Sequence, residues 1–120
     1  MAAVILLVDD SDLVRGLAKE LLVEANYAVL EAGDAREALA LTENVDLTLD
    51  LLIADLRLPG PSGLDLARAM REARPELKIL LVSADATNSA VAELIPGAVF
   101  LDKTRLFDRL IGVVGKLLPP

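Results

Sequence analysis

The chain has 120 residues with no cysteine and no histidine, enough for a single domain over residues 1–120 that needs no staple; disulfides, thiolate metal sites and any histidine chemistry of its own are ruled out. Lys+Arg 12 against Asp+Glu 19 gives a net charge of -7 with no basic cluster, which repels a phosphate backbone and argues against direct nucleic-acid binding. The 54% hydrophobic residues fall in short runs, far below the roughly 20 needed to span a bilayer, and the N-terminus lacks a signal-peptide pattern, so the expectation is a cytoplasmic protein without membrane contact.

Val4–Val8 is an unalternating run of mostly branched residues, which predicts a strand covered on both faces. It stops at Asp9-Asp10. Ser11 and Asp12 then mark a helix start, and Leu13, Leu17, Leu21 and Leu22 recur at helical spacing. Ala28–Glu31 is a weaker strand candidate. Asp34 with Glu37 forms a D-x-x-E capping arrangement ahead of Ala38, Leu39 and Leu41.

The stretch Leu51–Gly63 carries the sharpest signal. Its apolar run Leu51–Ala54 delivers one carboxylate, Asp55, to a Pro/Gly-rich turn, as a buried strand presents a polar group at its carboxyl end. Ser62 with Asp65 caps the next helix, whose face holds Leu64, Ala67 and Met70. Ile79–Val82 predicts the fourth strand, followed by Ser83; a short helix over Asn88–Leu94 is stopped by Pro96-Gly97. Val99–Leu101 predicts the fifth strand, followed by Asp102 and Lys103. Thr104 is the expected cap of a last helix bearing Leu106, Leu110, Val113, Val114 and Leu117, and Pro119-Pro120 reads as a stop. This βα alternation implies an open, doubly wound parallel sheet with helices on both faces.

In such a sheet ligands bind outside the carboxyl ends of the strands. The residues delivered there are Asp9, Asp10, Asp55, Ser83 and Lys103. Each alone has an ordinary reading, as cap, turn hydroxyl or solvated charge; together, at matching strand ends, they point to an acidic phosphoryl site. Carboxylates this close repel unless a cation sits among them, and hard oxygen ligands without His or Cys favour Mg²⁺. A carboxylate is also a competent phosphoryl acceptor once the oxygens of the transferring group are neutralised, here by Mg²⁺ and Lys103, with Ser83 donating a hydrogen bond.

The pieces Val8-Asp9-Asp10, Asp55-Leu-Arg-Leu-Pro-Gly-Pro-Ser-Gly63, Val82-Ser83-Ala84 and Phe100-Leu-Asp-Lys103 resemble the receiver domain of bacterial two-component response regulators. The resemblance implies a flavodoxin-like five-stranded sheet, order 2-1-3-4-5, with five helices. It implies Asp55 as phosphoacceptor, Asp9 and Asp10 as the acidic pair holding Mg²⁺, and the backbone carbonyl of Arg57 as a further metal ligand. Ser83 is then the switch hydroxyl, Phe100 the switch aromatic and Lys103 the ligand of the phosphoryl group. The implied partner is a histidine kinase or histidine phosphotransfer protein, with a homodimer left open. The domain assists its own phosphorylation and dephosphorylation without being a turnover enzyme.

Two departures stand out. Where the family's lysine is followed by a proline in a cis peptide, this chain has Thr104, and a non-proline cis bond costs about 2.5–4 kcal/mol, so a trans bond is expected. The curtailed fourth helix resembles the receivers at the ends of hybrid histidine kinases. Two other functions compete: a receiver-fold interaction module with impaired phosphorylation, and an aspartyl-nucleophile phosphatase, against which Arg57 stands where a second Asp is wanted.

Overall fold

The computed structural model describes residues 2–119; Met1 and the Pro120 of the expected terminal stop lie outside them. Five strands, β1 (Val4–Val8), β2 (Ala28–Ala32), β3 (Leu51–Asp55), β4 (Lys78–Ser83) and β5 (Val99–Asp102), form one parallel sheet in the order β2-β1-β3-β4-β5. The helices are α1 (Asp12–Glu24), α2 (Ala35–Leu41), α3 (Gly63–Ala73), a 3₁₀ helix (Ala86–Leu94) and α4 (Leu106–Leu117). The flavodoxin-like arrangement, its strand order and its five helices are as the sequence implies.

Successive strand residues point to opposite faces, so an unalternating apolar run fills both sides of the sheet. On one face Ile5, Leu7, Leu51, Ile53, Leu80 and Val82 meet Ala18 and Leu22 of α1 and Leu106, Leu110 and Val114 of α4. On the other Leu6, Val8, Leu52, Ala54, Ile79 and Leu81 meet Ala35 and Ala38 of α2, Leu66, Ala67 and Met70 of α3, and Ala92 of the 3₁₀ helix. The two edge strands, β2 and β5, leave most of their residues half-buried, and β2, with Glu31 among them, has the faintest pattern of the five.

The starts of α1, α2 and α3 follow their capping residues: Ser11 Oγ accepts from Val14 N–H, Asp34 Oδ1 from Glu37 N–H, and Ser62 Oγ from Asp65 N–H. The last cap differs from expectation. Thr104 does not cap α4; a short 3₁₀ turn, Lys103–Arg105, intervenes, and α4 begins after Arg105 with no side-chain cap. Asp102 caps that turn instead, its Oδ1 accepting from Thr104 N–H at 3.0 Å and Thr104 Oγ1 at 2.9 Å. Asp102 stands at the N-cap of this turn, where its carboxylate accepts both donors of Thr104, while Thr104 lies inside the turn and can only donate to it.

The fourth helix is tighter than an α-helix over its whole length. Asp85 starts it, accepting from the N–H and hydroxyl of Thr87 at 3.0 and 2.6 Å, and Pro96-Gly97 ends it, with Gly97 at φ +78°. Asp50, just ahead of β3, closes the amino end of β1: its Oδ2 accepts from Val4 N–H at 2.7 Å. No helix among the described residues is long and apolar enough to cross a membrane.

Candidate functional site

At the carboxyl ends of β1, β3, β4 and β5 the sheet assembles the polar residues that follow each strand. Asp9 and Asp55 are 5% and 6% exposed and Ser83 1%, so among the described residues these three are the buried polar or charged side chains. Asp10 is exposed beside them. One carboxylate oxygen from each of Asp9, Asp10 and Asp55 lies within 4.8 Å of the others.

Lys103 reaches into this cluster. Its Nζ lies 2.6 Å from Asp55 Oδ2 and 2.9 Å from Asp9 Oδ2, so one ammonium bridges the two buried carboxylates. Burial works to lower the Lys103 pKa, but the hydrogen bonds and charges of Asp55 and Asp9 outweigh it and hold the pKa above the ordinary lysine value. The Lys103–Thr104 peptide is trans, as are all the described peptides. The Asp102–Thr104 clasp therefore sets the backbone from which Lys103 reaches inward.

Backbone donors fix the carboxylates. Asp55 Oδ1 accepts from Arg57 N–H at 2.9 Å, and Asp9 Oδ1 from Ser11 N–H at 2.8 Å, which leaves each Oδ2 to the lysine. Arg15, one turn into α1, donates from Nη1 to the Asp9 carbonyl at 2.6 Å and from Nη2 to Asp12 at 2.7 Å, pinning the acidic turn from behind. Gly63 provides the space behind Asp55. A Cβ there would fall 2.1 Å from the Asp55 carbonyl oxygen, so only glycine lets α3 start against the end of β3.

Ser83 Oγ accepts from Asp85 N–H and from Asn88 Nδ2, each at 3.1 Å. Phe100 is half-buried against the face of the sheet that carries α2 and α3. Arg57 is exposed, and its backbone touches Asp55 through the N–H described above. Asp9, Asp10, Asp55, Arg57, Ser83 and Lys103 thus lie at or beside the carboxyl edge, whereas Phe100 lies within β5, paired with Leu81 two residues before Ser83. Arg15, Asp102 and Asn88 were not foreseen. Arg15 has a faint signal, a cation one turn into the helix that follows two aspartates, whereas Asn88 reads only as the start of a short helix and Asp102 only as a carboxylate after the fifth strand until the chain is folded.

The donor set fits a hard divalent cation: three carboxylates against one ammonium leave an excess of negative charge, and all candidate ligands are oxygens. Residues 5–114 match the response regulator receiver domain family. The chain belongs to that family. This receiver domain is 32% identical over 99 residues to the sensor kinase CckA of Brucella abortus, covering 82% of the chain and 10% of the kinase. It is 39% identical over 82 residues to the transcriptional regulatory protein AruR of Pseudomonas aeruginosa, covering 66% of the chain and 33% of the regulator. The chain therefore spans a third or less of these two relatives. Among solved structures, the response regulator TrrA of Thermotoga maritima, in complex with Mg²⁺-BeF, superposes with a TM-score of 0.81 at 33% identity, covering 97% of this chain and 99% of that one. The receiver domain thus acts as a phosphoacceptor of two-component signalling, with an acidic cluster suited to Mg²⁺.

Proposed function

We propose that Asp55 is the phosphoacceptor. The observation that carries this is the placement of its carboxylate: it ends β3, is 6% exposed, and has Oδ2 held 2.6 Å from the Lys103 ammonium within an oxygen-only acidic cluster. A carboxylate oxygen of Asp55 attacks the phosphorus of a phosphohistidine donor, the O–P bond forms, the N–P bond breaks, and the electron pair stays on the donor's imidazole nitrogen. Because this chain has no histidine, the donor is a histidine kinase, a histidine phosphotransfer protein, or another part of a longer parent.

Asp9, Asp10, Asp55 and the Arg57 carbonyl would hold Mg²⁺, which supplies positive charge against the oxygens of the transferring group. Lys103 supplies a second cation from the protein itself and orients the Asp55 carboxylate. Ser83 donates its hydroxyl proton to a phosphoryl oxygen, and Phe100 shifts with it to signal the state of the site. Turnover of a phosphate ester lacks support, since Arg57 occupies the position where a second carboxylate would act as acid and base. Similarity to a sensor kinase is consistent with a hybrid-kinase parent, and similarity to a transcriptional regulator with a separate one.

Incubation with Mg²⁺ and acetyl phosphate, read by intact mass, should add one phosphate to the wild type and none to Asp55→Asn. Equal labelling of the two would overturn the assignment.

A further inference from the structure

Ser83 presents an asymmetry that its neighbours create. A hydroxyl has two acceptor lone pairs and one proton to donate. Both acceptor positions are filled, by Asp85 N–H and Asn88 Nδ2 at 3.1 Å each, while no protein acceptor among the described residues takes the proton. The group is 1% exposed, so bulk water does not compensate freely. It stands at the end of β4, one residue past Val82, whose register partner is Asp55, and directly across from Asp102, the neighbour of Lys103. The one unspent function of this hydroxyl is therefore a donor, next to the carboxylate assigned as phosphoacceptor.

We propose that Asn88 is a positioning residue for phosphoryl recognition: by donating to Ser83 Oγ, it holds that hydroxyl with its proton free for a phosphoryl oxygen. This rests on the reading of Asp55 given above and goes beyond it.

Asn88 is itself well placed to do so. Its backbone N–H donates to the Asp85 carbonyl at 3.0 Å, and Asp85 is fixed by the two bonds from Thr87, so the turn over residues 83–88 closes on itself before the amide reaches Ser83. Asn88 is half-buried, and the remainder of its 3₁₀ helix is tied to the core through Ala92. The amide thus couples the fourth helix to the site through one hydrogen bond. An apolar side chain of the same size would leave the hydroxyl free to turn. A carboxylate would reverse the polarity, because an ionised Asp accepts only and would take the proton that the phosphoryl oxygen needs.

The test uses beryllium fluoride with MgCl₂ as the phosphoryl mimic, titrated by calorimetry into wild type, Asn88→Leu, Asn88→Asp, Ser83→Ala and the double variant Asn88→Leu/Ser83→Ala. Thermal melts establish that each is folded. Asn88→Leu should weaken binding by roughly 3- to 10-fold, in keeping with the usual value of one hydrogen bond, and Asn88→Asp by more. In the Ser83→Ala background Asn88→Leu should change affinity by less than about twofold, since its effect passes through the hydroxyl. A merely structural asparagine would lose the same affinity in both backgrounds, and that result, or an Asn88→Leu protein binding as tightly as wild type, overturns the proposal. Failure of the wild type to bind overturns the phosphoryl-site reading and this inference with it, whereas wild-type binding that ignores Asn88 overturns the inference alone.

Discussion

Replacing Gly63 with alanine probes how closely the loop after Asp55 is folded against the strand that carries it. The added Cβ would lie 2.1 Å from the Asp55 carbonyl oxygen, 2.8 Å from its carbonyl carbon and 2.9 Å from Leu56 Cα. All three are backbone atoms with no rotamer to yield, and ordinary non-bonded contact lies near 3.5–4.0 Å, so the start of α3 or the end of β3 must move by roughly an ångström. The Gly63 N–H bond to the Leu56 carbonyl, 3.1 Å, lies in the path of that movement. Overpacking of this kind costs about 1–3 kcal/mol, and an immovable backbone neighbour puts Gly63→Ala toward the upper figure. For a domain of this size the range of about 1–3 kcal/mol is a fall in Tm of roughly 4–12 °C, with Gly63→Ala toward the larger value.

A control of opposite sign is available in the same molecule. A Cβ at Gly16 in α1 meets nothing within 4 Å, so Gly16→Ala should gain about 0.5–1 kcal/mol from helix propensity alone. Thermal and urea melts of both variants, paired with acetyl phosphate labelling, test the argument. Gly63→Ala should be destabilised and slow to label because Asp55 is displaced, while Gly16→Ala labels normally. A Gly63→Ala protein as stable and as quickly labelled as wild type would refute the reasoning.

Other substitutions separate charge from geometry. Lys103→Met removes the ammonium between Asp9 and Asp55, leaving two buried carboxylates facing each other; with solvent reaching the rim, the loss should be about 1–3 kcal/mol in EDTA. Millimolar Mg²⁺ should recover part of it, and a melt indifferent to both the lysine and the metal would contradict this. Asp10→Asn, at an exposed carboxylate, should leave the EDTA melt unchanged or slightly higher while reducing the Mg²⁺-induced rise in Tm, by the linkage between ligand binding and stability.

Asp85 offers a pH test away from the acidic cluster. The Thr87 hydroxyl, then its backbone N–H, hold the Asp85 carboxylate below its usual pKa. The stability this lends is present above the unfolded carboxylate value, about 3.9, and is lost as pH falls through the lower folded value. In Thr87→Val, carboxyl NMR should show the Asp85 pKa moving up toward the ordinary value; an unmoved titration would rule out the hydroxyl as the main cause.

The sequence determined the architecture because its signals are local. Unalternating apolar runs at Val4–Val8 and Leu51–Ala54 admit a two-faced strand and little else, and caps such as Ser11, Asp34 and Ser62 act within three residues of themselves. The site's principal groups were legible for a related reason: in a parallel sheet, position at a strand's end fixes position in space, so Asp9, Asp10, Asp55, Ser83 and Lys103 needed only the strand assignments to be brought together. Tertiary structure decided what depends on distance between segments far apart in the chain. It alone set Lys103 as a bridge between two carboxylates, made Gly63 obligatory through its contact with the Asp55 carbonyl, and turned Asp50 from a loop charge into the clamp on Val4. It also gave Asp102, rather than Thr104, the turn before α4, and brought Asn88 to Ser83 by winding the fourth helix as a 3₁₀ helix. Hydrogen-bond direction and close backbone approach have no periodic trace in a sequence; they exist only once the chain has folded back on itself.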